Sequence, residues 1–268
     1  NSKKKALPFL QSPHNMYVAP KKHLGQHFLT NTQIAQDIAH ALTGFGGYKT
    51  VLEIGPGTGA LTRHLLPLNY DTHVVEIDEQ SIVYLHLHYP ELKNKIHAED
   101  FLRMDLKTKF PDPIAVIGNF PYNISSQILF HVLEYKDHVP ELVGMFQKEV
   151  ALRVANGPGS KDYGILSVLI QAWYEVEYLF TVHENEFNPP PKVKSGVIRM
   201  KRKDIHDLGC DEKKFKQLVK LAFNQRRKTL RNSLKSVIQS QEVSGDWLQK
   251  RPEQLGVAEF IELTNLLM

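Results

Sequence analysis

The sequence has very little cysteine and no long apolar run. Cys210 is the only cysteine among 268 residues, so no disulfide can form within the chain and a disulfide-stabilised secreted fold is excluded. No apolar stretch approaches the roughly 18–20 residues that a membrane-spanning helix needs. The basic N-terminus, with Lys3, Lys4 and Lys5, lacks the apolar segment of a signal peptide. These absences predict a cytoplasmic protein that does not enter a membrane.

Metal-ligand patterns are also missing from the sequence. His86 and His88 are two positions apart, a spacing that does not place two side chains on one helix face. No zinc-type cluster of cysteine and histidine occurs elsewhere in the chain. We therefore predict that the protein has no metal site.

Positive charge is concentrated in one part of the chain. The whole sequence has 33 Lys and Arg against 29 Asp and Glu, a net charge of +4. Residues 190–235 alone carry 15 basic and 4 acidic residues, which leaves 18 basic and 25 acidic residues for the rest. A basic block on an acidic body favours binding to a polyanion, and the alternative is a solvated helical face.

Hydrophobic periodicity predicts strands that alternate with helices over the first two thirds of the chain. The predicted strands are Thr50–Ile54, His73–Ile77, Lys95–Ala98, Ile114–Gly118 and Leu142–Gln147. The predicted helices are 31–43, 59–66, 81–88, 125–134 and 148–155. This alternation is typical of an α/β fold with a parallel, Rossmann-like sheet covered by helices on both faces. Tyr174–Val182 and Val193–Met200 predict a late antiparallel pair at the edge of that sheet.

The pattern changes near Lys203. Residues 211–224, 228–241 and 258–268 have helical spacing, and no strand pattern follows residue 203. We predict three parts: a flexible segment (1–20), a cofactor-binding sheet domain (21–203) and a small all-helical C-terminal domain (204–268).

A glycine turn follows the first predicted strand. Gly55 and Gly57 let the backbone approach a ligand closely, and Glu76 ends the second strand 21 residues after Gly55. A carboxylate at that place can accept hydrogen bonds from both hydroxyls of a ribose. The combination predicts a cofactor that contains adenosine.

Two acidic residues favour a methionine-derived cofactor over a dinucleotide. Glu53, just before the turn, suits the ammonium of a methionine group better than a pyrophosphate, and Asp100 follows the third strand, where it can accept from an adenine amine. The spacing from Gly55 through Gly57 to Ala60 also fits the loose dinucleotide pattern, so a nicotinamide oxidoreductase stays open as an alternative.

The segment from Gly118 to Ile124 (GNFPYNI) follows the fourth predicted strand. Asn and Pro are common in turns, but this segment also suits methylation of an exocyclic base amine. The side-chain oxygen of Asn119 and backbone carbonyls beside Pro121 can accept the two N–H groups as the nitrogen becomes tetrahedral. The Tyr122 ring can stack on the base. We therefore predict catalytic roles for Asn119, Pro121 and Tyr122.

From about Lys21 to the C-terminal helices, the chain resembles the ribosomal RNA adenine N6,N6-dimethyltransferase family, in its bacterial small-subunit form. The resemblance rests on the two motifs above and on the segments Lys22–Leu29, Phe187–Ser195 and Ala222–Leu234. It implies a class I methyltransferase fold and S-adenosylmethionine as the cofactor. The implied cofactor contacts are His27, Leu29, Gly55, Glu76, Asp100 and Asn119. The family often has Asn where this chain has His27.

The resemblance also implies the substrate and the partner. The substrate would be two adjacent adenosines in a hairpin near the 3′ end of small-subunit ribosomal RNA, each receiving two methyl groups. The partner would be a precursor small ribosomal subunit, and the enzyme would act as a monomer. Two alternatives remain within this reading: a related large-subunit adenine methyltransferase of the drug-resistance type, and a ribosome-assembly factor that is mainly non-catalytic.

Two further predictions concern RNA contact. Phe187 precedes a proline run that holds the chain extended, so its ring could sandwich a flipped base against Tyr122, unless it is a core phenylalanine. Helical spacing predicts that Arg227 and Arg231 share a face of one helix. The predicted phosphate-binding cluster is Arg226, Arg227, Lys228 and Arg231, extended toward the active site by Lys192, Lys194, Lys201, Arg202 and Lys203.

Overall fold

The computed structural model describes residues 16–238 and 245–268. In chain order its strands are β1 (Phe28–Leu29), β2 (Thr50–Ile54), β3 (Asp71–Val75), β4 (Ile96–His97), β5 (Ile114–Asn119), β6 (Glu141–Gln147), β7 (Tyr174–Val182), β8 (Phe187–Asn188) and β9 (Ser195–Arg202). The main sheet has the order β4-β3-β2-β5-β6-β9-β7, and β1 pairs with β8 in a separate two-stranded sheet. The strands from β4 to β6 are parallel, and β9 and β7 are antiparallel to their neighbours. The predicted parallel sheet and its late antiparallel pair are confirmed.

Helices cover both faces of this sheet. They are α1 (Thr32–His40), α2 (Thr62–Leu65), α3 (Glu79–His88), α4 (Leu106–Lys109), α5 (Ser125–Glu134), α6 (Lys148–Ala155), α7 (Ile165–Gln171), α8 (Glu212–Asn224), α9 (Leu230–Ser233), α10 (Lys235–Ile238) and α11 (Val257–Leu267). Asn31 begins α1 because its side chain accepts a hydrogen bond from the Ile34 amide at 3.1 Å. Among the described residues, no helix has the length and apolar character required to cross a membrane.

The central strands divide their side chains between two cores. Leu52 and Val116 belong to one hydrophobic cluster, whereas their neighbours Val51 and Ile117 belong to another on the opposite face. Successive strand residues point to opposite faces, so a strand that is apolar at every position is buried on both sides. This is why β5 and β6 have nearly continuous apolar sequences.

The C-terminal helices extend the first of these cores. Phe215 and Leu218 of α8 share a cluster with Leu169 of α7 and Ile198 of β9. Packing is therefore continuous across the predicted boundary near Lys203, and the division into domains stays a prediction. Of the segment predicted to be flexible, residues 1–15 lie outside the described residues, while Val18 is buried.

One local prediction needs correction, and two features of the fold were not predicted. The helix predicted at 228–241 is two short helices, α9 and α10, and residues 239–241 lie outside the described part. Helix α7 was not predicted, because its apolar residues face the core nearly all round and show no amphipathic period. The pairing of β1 with β8 was not predicted either, because strands of two residues have no detectable alternation.

Candidate active site

A cavity opens at the carboxyl edge of the parallel strands. Its walls come from the ends of β2, β3 and β5, from the loop after β4 and from Leu24–Phe28, and its empty volume, open mouth included, is about 910 Å³. This edge is where doubly wound sheets bind ligands. The predicted site residues that line it are His27, Gly55, Gly57, Glu76, Asp100, Asn119, Pro121 and Tyr122.

The glycine turn after β2 forms the floor of the cavity. Gly55 and Gly57 have φ values of +62° and +55°, in the left-handed region that favours glycine. A Cβ on Gly57 would lie 3.0 Å from a ring carbon of Phe28. The turn therefore needs glycine both for its backbone conformation and for the close approach of Phe28, which belongs to the N-terminal segment (residues 21–31).

Glu76 is anchored at the end of β3 by three backbone amides. Its Oε2 accepts from Gly57 at 3.1 Å, and its Oε1 accepts from Ile77 at 2.9 Å and from Asp78 at 3.0 Å. Burial raises the pKa of Glu76, while these three hydrogen bonds act to lower it. An ionised carboxylate has about four acceptor positions, so Oε2 retains one that can accept from a ribose hydroxyl in the cavity.

Asp100 lines the same cavity as the glycine turn. Its Oδ1 accepts from the Leu102 amide at 3.0 Å and so caps a short 3-10 helix, Phe101–Arg103. The neighbouring Glu99 also lines the cavity and pairs with Lys109 at 2.5 Å. The capping bond uses Oδ1 of Asp100. Its Oδ2 lies 3.8 Å from Nε of Arg103, too far for a hydrogen bond, and can therefore accept from an adenine amine.

Glu53 does not line the cavity, so the structure does not support its predicted contact with a methionine ammonium. Its carboxylate is buried beneath the glycine turn and accepts from the Thr62 hydroxyl at 2.5 Å. Burial raises the pKa of Glu53 to about 8, the negative charge of Glu76 adds to this rise, and the Thr62 hydrogen bond opposes it.

Asn119, at the end of β5, connects the Gly118–Ile124 segment to the N-terminal segment. Its Nδ2 donates to the backbone carbonyl of His27 at 3.0 Å. The two polar atoms of an amide point in different directions, so this bond leaves Oδ1 of Asn119 as an acceptor. Phe120, the next residue, is buried in the core and fixes the path of the backbone.

Tyr122 is held by its ring and by its hydroxyl. The His27 imidazole stacks on the ring with 5.3 Å between centroids and 28° between planes. The hydroxyl of Tyr122 shares a hydrogen bond with the Ser195 hydroxyl. Nδ1 of His27 is 2.9 Å from the Pro189 carbonyl. The imidazole of His27 thus faces Tyr122, and it is the backbone of His27 that meets Asn119.

Two predicted site residues are placed in the core instead of the cavity. Leu29 and Phe187 are 6% and 4% exposed and belong to the same hydrophobic cluster. They are directly opposite each other in the pairing of β1 with β8. The Phe187 ring is therefore covered, which corrects the prediction that it sandwiches a base against Tyr122, and the Leu29 side chain is not positioned to contact a cofactor.

The N-terminal segment is attached to the rest of the fold at several points that sequence reasoning missed. Lys21 pairs with Asp78, Thr30 donates to the Glu186 carbonyl and Asn31 donates to the Glu186 carboxylate. Burial acts to raise the pKa of Asp78, but the hydrogen bonds from Lys21 and Ser81 hold it below its usual value. Ser195 was also missed, although the predicted antiparallel pairing places the start of its strand at the carboxyl edge.

The basic cluster is exposed, but it does not form one helix face. Arg226, Arg227 and Lys228 lie in a turn after α8, and Arg231 lies in α9, which begins only after Thr229. Thr229 has an extended backbone (ψ 158°) that separates the two parts. The prediction that Arg227 and Arg231 share a helix face is therefore wrong.

Part of the predicted basic stripe lies at the opposite edge of the sheet. Because β9 is antiparallel, Ser195 pairs with Gln147 at the carboxyl edge, whereas Lys201 pairs with Glu141 at the amino edge. The Arg202 guanidinium lies 4.7 Å from the Trp173 ring centre and 2.9 Å from Asp137. Lys201, Arg202 and Lys203 thus do not extend the cluster toward the active site.

A basic groove instead lies between α5 and the C-terminal helices. It begins at Ser126, near the start of α5, and continues along α8 to Arg226. Exposed lysines on α8 line it at positions 213, 216 and 220, a spacing that places them on one helix face.

Within residues 16–238 and 245–268, no group of three or more His, Cys, Asp or Glu side chains is arranged to hold a metal ion.

Comparison with curated proteins identifies close relatives. The chain is 60% identical over 253 residues to the ribosomal RNA small subunit methyltransferase A of Cytophaga hutchinsonii, covering 93% of this chain and 98% of the relative. It is 57% identical over 250 residues to the protein of the same name from Flavobacterium johnsoniae, covering 92% and 95% of the two chains.

Solved structures with a similar fold include two methyltransferases. A dimethyladenosine transferase from Plasmodium falciparum matches with a TM-score of 0.73 and 25% identity, over 88% of this chain and 96% of the other. The 23S rRNA methyltransferase ErmE matches with a TM-score of 0.62 and 25% identity, over 89% and 99%. The family model described as ribosomal RNA adenine dimethylase matches residues 19–261. The chain therefore belongs to the ribosomal RNA adenine dimethylase family.

Proposed function

We propose that this protein transfers methyl groups from S-adenosylmethionine to the N6 amines of two adjacent adenosines in a hairpin near the 3′ end of small-subunit ribosomal RNA. The products would be N6,N6-dimethyladenosines. One observation carries the proposal: the Asn119–Tyr122 segment and the carboxylates of Glu76 and Asp100 face the same cavity. A methyl donor with an adenosine half and a base to be methylated can therefore meet there.

The residues of the cavity fit S-adenosylmethionine. Oε2 of Glu76 has an acceptor position for a ribose hydroxyl, and Oδ2 of Asp100, which is paired only with the exposed Arg103 at 3.8 Å, can accept from the adenine amine. Gly55 and Gly57 let the backbone approach the cofactor closely. The bond from Asn119 to His27 holds the N-terminal segment over the cavity and limits its access to water.

The catalytic residues act on the amine of the target base. When bound, S-adenosylmethionine supplies a methyl group on a positively charged sulfur that leaves as a neutral thioether. The methylated nitrogen then carries the positive charge until it releases one proton to water. Oδ1 of Asn119 accepts one N–H of the amine, and a backbone carbonyl beside Pro121 accepts the other. Both contacts favour the tetrahedral nitrogen that forms as its lone pair leaves conjugation with the ring. Tyr122 stacks on the base and aligns nitrogen, methyl group and sulfur.

We propose that the basic groove and the basic cluster bind the RNA. Lys216, Lys220 and Arg226 line the groove, which begins at Ser126 in the first turn of α5, four residues after Tyr122. Arg227, Lys228 and Arg231 lie exposed beyond its far end. Contacts from such side chains to phosphates supply most sequence-independent affinity for nucleic acid. The RNA would be held as part of a precursor small subunit, by a monomer, in the cytoplasm where subunits are assembled and matured.

The experiment uses S-adenosylmethionine with a labelled methyl group and purified small ribosomal subunits that lack the modification. We expect label in N6,N6-dimethyladenosine at two adjacent positions of the small-subunit RNA. Label in isolated large-subunit RNA instead would support the large-subunit alternative. Tight binding to small subunits with no transfer of label would support the non-catalytic assembly factor.

A further inference from the structure

Ser195 lies beside the active site with its position fixed by two strands. It is the first residue of β9, it is 0% exposed, and it pairs with Gln147 of β6 on one side and Val182 of β7 on the other. A side chain that starts from the middle of a hydrogen-bonded sheet has little freedom to move. Its hydroxyl forms a hydrogen bond with the hydroxyl of Tyr122.

Tyr122, by contrast, lies in a segment that is neither helix nor strand, between the end of β5 and the start of α5. The local backbone alone does not fix the direction of its ring. The hydroxyl of Tyr122 is hydrogen-bonded to Ser195 in the sheet. The ring of Tyr122 stacks on the His27 imidazole, which belongs to the N-terminal segment. Of these two supports, only Ser195 belongs to the main sheet.

We propose that Ser195 is a positioning residue, whose hydroxyl fixes the angle at which Tyr122 presents its ring to the target base. This inference rests on the proposed function, because it assigns Tyr122 the stacking role. Ser195 does not touch the reacting atoms and acts only through the phenol. Small errors of alignment are costly when the reacting atoms must meet in line, so the hydrogen bond affects the rate of transfer more than the binding of either substrate.

The test is a double-mutant cycle with Ser195→Ala, Tyr122→Phe and the double variant. We measure kcat at saturating small subunits and saturating S-adenosylmethionine, and the KM for each. Each single variant is expected to lower kcat by about 5- to 20-fold with less than about a threefold change in either KM. Because both substitutions break the same bond, the double variant is expected to match the singles.

Tyr174→Phe is the matched control. Tyr174 is also fully buried, and its hydroxyl donates to the Val139 carbonyl at 2.8 Å, but it lies at the amino edge of the sheet. This variant loses a buried phenol hydrogen bond of the same kind, so it should lower the melting temperature and leave kcat unchanged. A fall in kcat for Tyr174→Phe equal to that for Ser195→Ala would assign the effect to general destabilisation and overturn the proposal.

Other outcomes also decide the question. Wild-type kcat in Tyr122→Phe, which keeps the ring, would overturn the proposal even if Ser195→Ala failed to fold. Losses that multiply in the double variant would show that Ser195 acts independently of Tyr122. Failure of the proposed function is distinguishable from these results, because then the wild-type protein itself would transfer no methyl group to adenosine.

Discussion

The two edges of the sheet each bury a glutamate, and the two glutamates differ in what they leave unused. At the carboxyl edge, Glu76 accepts three backbone hydrogen bonds and faces a cavity. At the amino edge, Glu141 accepts from the Thr43 amide, the Thr43 hydroxyl and the Tyr48 hydroxyl, and is 0% exposed. Each carboxylate is satisfied in the folded chain, but only Glu76 has an acceptor position facing open space.

This difference shows why burial of a charged group does not by itself indicate a functional site. Glu141 connects α1 and the following turn to β6, and its partners are all groups of the fold. Burial and the contact with Glu141 both raise the pKa of Tyr48 well above its usual value, so that the phenol stays protonated and donates. The carboxyl edge is the edge for ligands because its polar groups are arranged around a cavity, and the predictions below test this contrast.

The largest effect is expected for Asn119→Ala. Removing the Oδ1 acceptor should lower kcat for methyl transfer by about 100- to 1,000-fold, as for other single groups that stabilise a transition state. The affinity for small subunits should change by less than about threefold, because the contact matters most as the amine becomes tetrahedral. Single-turnover transfer of labelled methyl groups and subunit-binding assays measure the two quantities.

Asn265→Ala is the control for this prediction. Asn265 in α11 also donates from Nδ2 to a backbone carbonyl, that of Gly209 at 2.9 Å. It lies far along the chain in the C-terminal helices, so its loss should leave kcat unchanged. Equal losses of kcat and of subunit affinity in Asn119→Ala would make Asn119 a binding residue only.

The next effect separates the two glutamates directly. Glu76→Ala should weaken S-adenosylmethionine binding by about 1.5–3 kcal/mol, because it removes a charged acceptor. Glu141→Ala should leave that affinity unchanged and instead lower the free energy of unfolding by about 1–3 kcal/mol, because the Thr43 amide and its neighbours lose their partner. Calorimetric titration and denaturant unfolding of both variants give the comparison, and a cofactor defect in Glu141→Ala would contradict it.

A third carboxylate, Glu53, sharpens the contrast through its pH dependence. Its folded pKa of about 8 lies above its ordinary value of 4.5, so the folded state binds this proton more tightly than the unfolded chain does. The stability it contributes is complete below about pH 4.5 and is lost as the pH rises through about 8. Between pH 6 and pH 9 the wild-type protein should lose roughly 2 kcal/mol more stability than Glu53→Gln, which does not titrate. The same change in melting temperature for both proteins between pH 6 and pH 9 would refute the prediction.

The smallest effect concerns exposed charge. Replacing Arg227 and Arg231 together should weaken small-subunit binding about tenfold and reduce the slope of log affinity against log salt by about 1.4–1.8, if each contacts one phosphate. Replacing Lys49 and Lys201 at the amino edge removes the same charge and should leave the slope unchanged. Cofactor affinity should be unaffected in both pairs. Equal slopes for the two pairs would mean that net charge alone governs binding.

Features that depend on local pattern could be predicted from the sequence. Thr50–Ile54, Ser125–Glu134 and Lys148–Ala155 have the predicted bounds, because a short apolar run and a period of 3.6 residues are both read over a few neighbouring residues. The meeting of Gly55, Glu76, Asp100 and Asn119 at one cavity follows from the rule that parallel strands end at a common edge. That rule needs only the order of the elements along the chain.

Features that depend on contacts distant in sequence could not be predicted. Phe187 was predicted to stack on a base because the prolines after it hold the chain extended. Its ring is instead buried in one cluster with Leu29, and this contact depends on the pairing of β1 with β8. Arg227 and Arg231 were assigned to one helix because Thr229 gives no strong break signal. The position of Lys201 at the amino edge could have been predicted, because the antiparallel direction of β9 was itself predicted.

The attachment of the N-terminal segment has a consequence for the timing of synthesis. Thr30 is bound to Glu186, 156 residues later, and Asn119 holds His27 from 92 residues away. At about 5–20 residues per second, Glu186 is added roughly 8–30 s after Thr30. The nascent chain therefore makes this wall of the cavity before the residues that hold it, and Asn119 is added well before Glu186. All residues that line the cavity are present once Ile124 has been added, but the contacts of Glu186 with Thr30 and Asn31 can form only later, when about two thirds of the chain has been made.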